Sequence, residues 1–232
     1  MGDSIETLLV LAAANEVTAV SHAFDDRLAM DVPEGTPIRL SELLWTIQSG
    51  IGKSNAAAKT AAVLATNPPK RVISLGIAGA LPGGGLQIGD AVLASRSVFA
   101  DEGVDTPAGF IDCRSMGFPI YAGDDGEGLP PDQAVRDRLL PVLDGERVVA
   151  TVSVCSGRDD LAERIRRRTG ASAESMEGAA VLLACMHAGV PAAEVRVISN
   201  TAGDREHQIW DIGRAMARLG EVARSFSDID FD

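Results

Sequence analysis

"TLLVLAAANEV", Thr7 to Val17, decides the fold class. Thr7–Ala14, "TLLVLAAA", is a continuous apolar run of strand length, and no polar residue alternates through it. A strand that is apolar on both sides has to be covered on both sides, which points to the inner strands of a largely parallel sheet sandwiched between helices. The rest turns helical at once, and a carboxylate, Glu16, stands at the turn. Taken alone, Glu16 reads either as a first-turn acid stabilised by the helix dipole or as a functional group at the end of a buried strand.

The same grammar recurs along the chain. Further strands are expected at Leu44–Gln48, Arg71–Leu75, Ala91–Phe99, Arg147–Val154 and Val195–Ser199. Helices are expected at Glu16–Ala29, after "SGIGKSN", and at Asp132–Leu143, Asp159–Thr169, Glu177–Ala188 and Asp211–Phe226. Strands alternating with helices predict an α/β fold, a three-layer α/β/α arrangement around a mixed, largely parallel sheet, with residues 1–232 forming one domain. Asp101–Gly128 is glycine- and acid-rich with little periodicity and is expected to be an irregular excursion. Loops after parallel strands gather at one edge of such a sheet. That edge would bring together Asn15-Glu16, Gly76–Gly79, Met176-Glu177 and Ser199-Asn200.

Composition narrows the function. A net charge of −12 over 232 residues argues against a nucleic-acid surface. The one basic cluster, Arg164 to Arg168, lies beside Asp159, Asp160 and Glu163 and reads as an ion-paired helix face. Three cysteines without CxxC spacing suggest neither a disulfide framework nor a metal site, and fit the cytoplasm. No apolar stretch has membrane-spanning length. "GIAGALPGGG" is not GxGxxG, and GxxxxGK[ST] is absent, so no dinucleotide or P-loop site is expected.

Six segments in order, the early Glu16-Val17, "SGIGKSNAAA", "GIAGAL", "QIGD", "SMEGAA" and "RVISN", resemble the nucleoside phosphorylase and nucleosidase family that includes the methylthioadenosine/S-adenosylhomocysteine nucleosidases. Within it, "DEGV…GF" and "SNTAGDREHQIWDI" are similar to the futalosine hydrolases. The resemblance implies cleavage of a purine N-ribosidic bond without metal or organic cofactor. By position it makes Glu16 the water-activating base and Arg196 the group orienting water and carboxylates. Glu177 then holds the ribose hydroxyl, Met176 packs on the sugar, and Ile77, Ala78 and Gly79 lie against the substrate. Ile77 stands where adenosine-cleaving relatives have serine.

Asn200 replaces the aspartate of adenine-type nucleosidases. An aspartate oxygen would face the carbonyl of a 6-oxopurine, whereas an amide donates to O6 and accepts from a protonated N7. A 6-oxopurine leaving base is therefore expected. Phosphorolysis is disfavoured because "AAANEV" carries a carboxylate where an anion-binding arginine would be needed. The alternatives are an aminofutalosine or methylthioadenosine nucleosidase, a purine nucleoside phosphorylase, and a silent purine-binding sensor. Gly203–Ile212 is expected to act as a lid in which Arg205 and Trp210, with Phe110, meet the substrate's tail. The apolar loop at Val98–Phe118 predicts a homodimer or higher homo-oligomer.

Overall fold

The computed structural model describes residues 5–25 and 33–231. Strand β1 (Thr7–Leu11) is buried along its whole length, and its side chains divide between two cores. Leu9 and Leu11 pack with α1 (Ala14–Phe24) and α6 (Ile212–Phe226), while Leu8 and Val10 pack with α2 (Lys53–Thr66) and α5 (Gly178–Ala188). That division explains the unbroken apolar run, because neither face of the strand meets water. The expected α/β/α layering is thus present.

The remaining strands are β2 (Ile38–Arg39), β3 (Leu44–Gln48), β4 (Arg71–Ala80), β5 (Ala91–Phe99), β6 (Gly103–Thr106), β7 (Gly109–Asp112), β8 (Glu146–Thr151), β9 (Ala173–Ser175) and β10 (Ala192–Thr201). Helices α3 (Gln133–Leu139) and α4 (Asp159–Thr169) complete the set. β1 pairs in parallel with β3 and β4, β4 with β10, and β5 with β8, whereas β5 and β10 are antiparallel. β4 forks. Its first residues pair with β1, and its last two, Gly79 and Ala80, pair with β9 on that side. Since β10 also pairs with β4, the strands β4–β10–β5–β8–β9 close into a ring.

Several expectations change. The glycine-rich "GIAGA" is not a turn after Leu75; β4 runs on through it to Ala80. β10 does not stop at Ser199: the register slips between Ile198 and Asn200, and the strand continues to Thr201. Helix α1 ends at Phe24, and the last residues of the expected Glu16–Ala29 helix, 26–29, lie outside the described residues. The expected helix at Asp132–Leu143 ends as an α-helix at Leu139, and a single 3-10 turn follows. The irregular excursion holds a small hairpin, β6–β7. Arg164, Arg166 and Arg167 pair with Asp160 and Glu163 along α4, the ion-paired face anticipated for them.

Candidate active site

Where β4 leaves β1, the fork between them exposes backbone N–H groups, and Glu16 fills it. One carboxylate oxygen accepts from the N–H groups of Ala12 and Ala13 at 2.9 Å each, and the other from Ile77 N–H at 2.9 Å. The side chain is buried and locked by three donors from two elements. Glu16 satisfies the first turn of α1, and it also reaches across to β4.

Arg196 comes down beside it from β10. Its Nη1 and the Glu16 Oε1 converge over Gly76, where a Cβ would lie 2.5 and 2.7 Å from them. Gly76 is thus required by close approach. The guanidinium is only 1% exposed. Its Nε donates to Glu194 at 2.8 Å, Nη2 donates to Ser74 Oγ at 3.0 Å, and Nη1 lies 3.7 Å from Glu177. Burial opposes the charge on Arg196, but Glu194 and Glu177 more than offset it and hold its pKa above the ordinary arginine value.

Glu177 occupies the residue before α5, yet its side chain makes no capping bond. It accepts instead from Gly52 N–H at 3.0 Å, at the start of α2. Burial pushes its carboxyl above the ordinary range; Arg196 and the Gly52 N–H oppose the shift, while Glu16 and Glu194 add to it. Met176, next to it, is half-buried.

Asn200 lies one register step beyond Ile77 and Ala78, paired with Gly79 because of the slip in β10. Its Oδ1 accepts from Ser199 Oγ at 2.8 Å, and its Nδ2 donates to Thr201 O at 3.0 Å. Each amide atom keeps one free position, an acceptor beside a donor. Asn200 and Gly79 line a cavity of about 300 Å³ with Cys155, Ser156, Gly157, Glu174, Arg205, Gln208 and Trp210. Arg205 stacks 4.9 Å over the Trp210 ring, and both side chains donate to Gln208 Oε1. The 203–211 segment is tethered by backbone bonds from Gly203 to Ser156, Arg205 to Gly157 and Asp211 to Ser199. Phe110 is elsewhere, under the Arg168 guanidinium in a separate cleft with Tyr121 and Arg114.

Two buried acids escaped the sequence reading. Glu194, fully buried, accepts from Ser97, Ser175 and Arg196. Gly178 has no room for a Cβ because that carboxylate lies against it. Glu174 accepts from both the N–H and the hydroxyl of Ser156. A signal for Glu194 existed: "EVR" in a buried strand puts an acid and a base on one face, two residues apart. No group of metal-ligating side chains occurs among the described residues.

Residues 8–228 match the family model of the phosphorylase superfamily. Futalosine hydrolase of Acidothermus cellulolyticus is 37% identical over 221 residues, covering 93% of this chain and 88% of the relative. Futalosine hydrolase of Thermus thermophilus is 36% identical over 182 residues, covering 77% and 78%. Among solved structures, the Helicobacter pylori 5'-methylthioadenosine/S-adenosylhomocysteine nucleosidase with butyl-thio-DADMe-Immucillin-A superposes with a TM-score of 0.80 at 19% identity, covering 98% and 99% of the two chains. Native futalosine hydrolase of Helicobacter pylori gives 0.78 at 20% identity, covering 97% and 98%. The two structural likenesses speak for the fold; the sequence identity over most of the chain speaks for descent. The chain belongs to the phosphorylase superfamily.

Proposed function

We infer that this protein is a nucleosidase that hydrolyses the N-ribosidic bond of futalosine, releasing hypoxanthine and leaving dehypoxanthine futalosine on the way to menaquinone. The observation that carries this is the filled fork at Glu16. N–H groups at a strand–helix junction are a ready seat for phosphate, and here a carboxylate already holds them. A carboxylate in that place repels an anion and accepts a proton from water.

Each step has a group in place. Water sits over Gly76, held by Glu16 and oriented by Arg196, and loses its proton to Glu16 as its oxygen closes on C1′. Glu177 holds the ribose hydroxyl against the growing charge on the sugar, and Met176 packs on the ring. The N9–C1′ electron pair leaves with the base over Ala78 and Gly79, and N7 takes up a proton from solvent water, so that neutral hypoxanthine departs. Asn200 accepts from N7–H and donates to O6 with its two free positions. The carboxylated aromatic tail lies toward Arg205 and Trp210. Their stack on Gln208 parts or shifts as the Gly203–Ile212 segment closes as a lid.

Incubation with futalosine, with and without phosphate, followed by chromatography tests this. Free hypoxanthine at the same rate in both is expected. Phosphate dependence would instead mean phosphorolysis, and faster release of adenine from aminofutalosine or methylthioadenosine would move the substrate to the 6-amino class.

The working unit in this proposal is at least a homodimer in the cytoplasm. Phe118 is 70% exposed, and Val104 and Ile111 of the β6–β7 hairpin are each 41% exposed, an apolar patch suited to a second copy. Light scattering at micromolar concentration is expected to give twice the 24.2 kDa chain mass or a higher multiple; a fully active monomer would refute it.

A further inference from the structure

The cavity beside Asn200 contains a carboxylate that none of the proposed steps uses. Glu174 is 5% exposed, stands at the middle of β9 and lines the same cavity as Asn200 and Gly79. Register explains the grouping. Asn200 pairs with Gly79 across β10 and β4, and Gly79 pairs with Glu174 across β4 and β9. Directly paired residues project from the same face of a sheet, and adjacent strands lie about 4.8 Å apart. The backbones of Asn200 and Glu174 therefore flank Gly79 at a separation of about 10 Å. Glycine puts no side chain between them. The Asn200 amide leans over Gly79, 3.1 Å from where a Cβ would lie, so that an amide on one side and a carboxylate on the other face the same cavity.

The carboxylate is held in one orientation. One oxygen accepts from Ser156 N–H at 2.8 Å and the other from Ser156 Oγ at 2.6 Å. A carboxylate offers roughly four acceptor positions, so each oxygen retains one. Burial pushes the Glu174 carboxyl above its ordinary value, and the two Ser156 bonds oppose that.

We propose that Glu174 is a second base-reading group, whose carboxylate accepts the N1–H of a 6-oxopurine while Asn200 holds the N7/O6 edge. The proposal rests on the assignment of a 6-oxopurine leaving base and deepens it. A 6-oxopurine carries a proton on N1, whereas a 6-aminopurine presents a lone pair there. Against a buried carboxylate the first makes a hydrogen bond and the second meets like charge density with no water to relieve it. Asn200 and Glu174 thus inspect different atoms of the base, and their preferences multiply.

The decisive experiment compares futalosine with its 6-amino counterpart in the wild type and in Glu174→Gln, by kcat/KM. In the variant the glutamine oxygen still accepts from Ser156 N–H, and its NH2 donates to Ser156 Oγ, leaving a donor aimed at N1. The ratio of futalosine to 6-amino turnover is expected to fall roughly ten- to a hundredfold. An equal loss on both substrates would mean that Glu174 only braces the Ser156 loop, and an unchanged ratio would mean that it does not meet the base; either overturns the proposal. A measurement on the wild type alone guards against misfolding of the variant. Hypoxanthine is expected to inhibit at least tenfold more strongly than 1-methylhypoxanthine, which lacks N1–H, and equal inhibition would overturn the proposal. If the wild type leaves futalosine intact, the assigned substrate is wrong, and the inhibition ratio still decides the role of Glu174.

Discussion

Glu194→Ala isolates the part of the site that no substrate touches. Glu194 is fully buried, Arg196 is 1% exposed, and 2.8 Å separates them. Deleting the carboxylate strands three buried donors at once, Arg196 Nε, Ser97 Oγ and Ser175 Oγ. Removing one partner of a buried charge pair costs about 3–5 kcal/mol, because the remaining charge stays desolvated. In a chain of 232 residues, each kcal/mol moves the melting temperature by about 2–4 °C. A fall of about 6–20 °C is expected. Glu194→Gln separates shape from charge. Its oxygen still serves Arg196 and Ser175, and its NH2 can donate to Ser97 Oγ, so only the charge-assisted part of the bonding is lost, about 1–3 kcal/mol. Thermal melts followed by circular dichroism, with urea titrations to give free energies at one temperature, make the comparison. If Glu194→Ala melts within a degree or two of the wild type, or if the glutamine variant is the worse of the two, Glu194 is not what makes a buried arginine tolerable here.

Glu16→Gln keeps its one oxygen on the Ala12 and Ala13 N–H groups, turns its NH2 toward Ile77 N–H, and cannot take a proton from water, so kcat should drop by roughly 10²–10⁴-fold; turnover within a few-fold of wild type would exclude it as the base. Asn200→Asp should move the kcat/KM ratio toward 6-amino nucleosides by roughly tenfold or more, with an unmoved ratio counting against the amide as a reader of O6. In the proposed mechanism Glu177 is charged when it holds the ribose hydroxyl, and its raised carboxyl pKa then places the acid limb of kcat/KM above the ordinary glutamate range, so that activity is lost as pH falls through it. The sign for stability is opposite: a raised pKa favours the folded state below the unfolded value, and that contribution disappears as pH rises through the folded one. Arg205→Ala should raise KM for futalosine much more than for inosine, which lacks the tail; equal effects would remove Arg205 from tail binding.

Much of this was legible because the chain's signals are local. A strand buried on both faces announces itself as an unbroken apolar run; β3 falls where that pattern puts it, and β1 begins there but ends at Leu11, three residues short of the apolar run to Ala14, where α1 begins. Glu16, Arg196 and Asn200 were visible because each interrupts or ends such a run. What stayed hidden depends on contacts distant in sequence. Gly76 and Gly79 look like a break, yet they are strand residues made small by what lies over them, Glu16 Oε1 and Arg196 Nη1 at one and the Asn200 amide at the other. β9 has three residues and no period of its own; it is a strand only because β4 and β8 flank it. Glu174 and Glu194 read as ordinary polar positions, since nothing nearby in the sequence tells that Ser156, or Ser97 and Ser175, will arrive to satisfy them.

The fork in β4 has a consequence for how such a site changes over time. Below the split, β4 is tied to β1, and Glu16, the group proposed to take the proton of water, is anchored at that junction. Above it, β4 is tied to β9, and the residues proposed to read the base rise from that ring of strands. On the proposed roles, substitutions at positions 174 or 200 would alter which base is accepted without touching the hydrogen bonds that hold Glu16. Bond cleavage and base choice are therefore separately adjustable. A lineage built on this fork can exchange one purine for another by small steps while the hydrolytic half stays as it is.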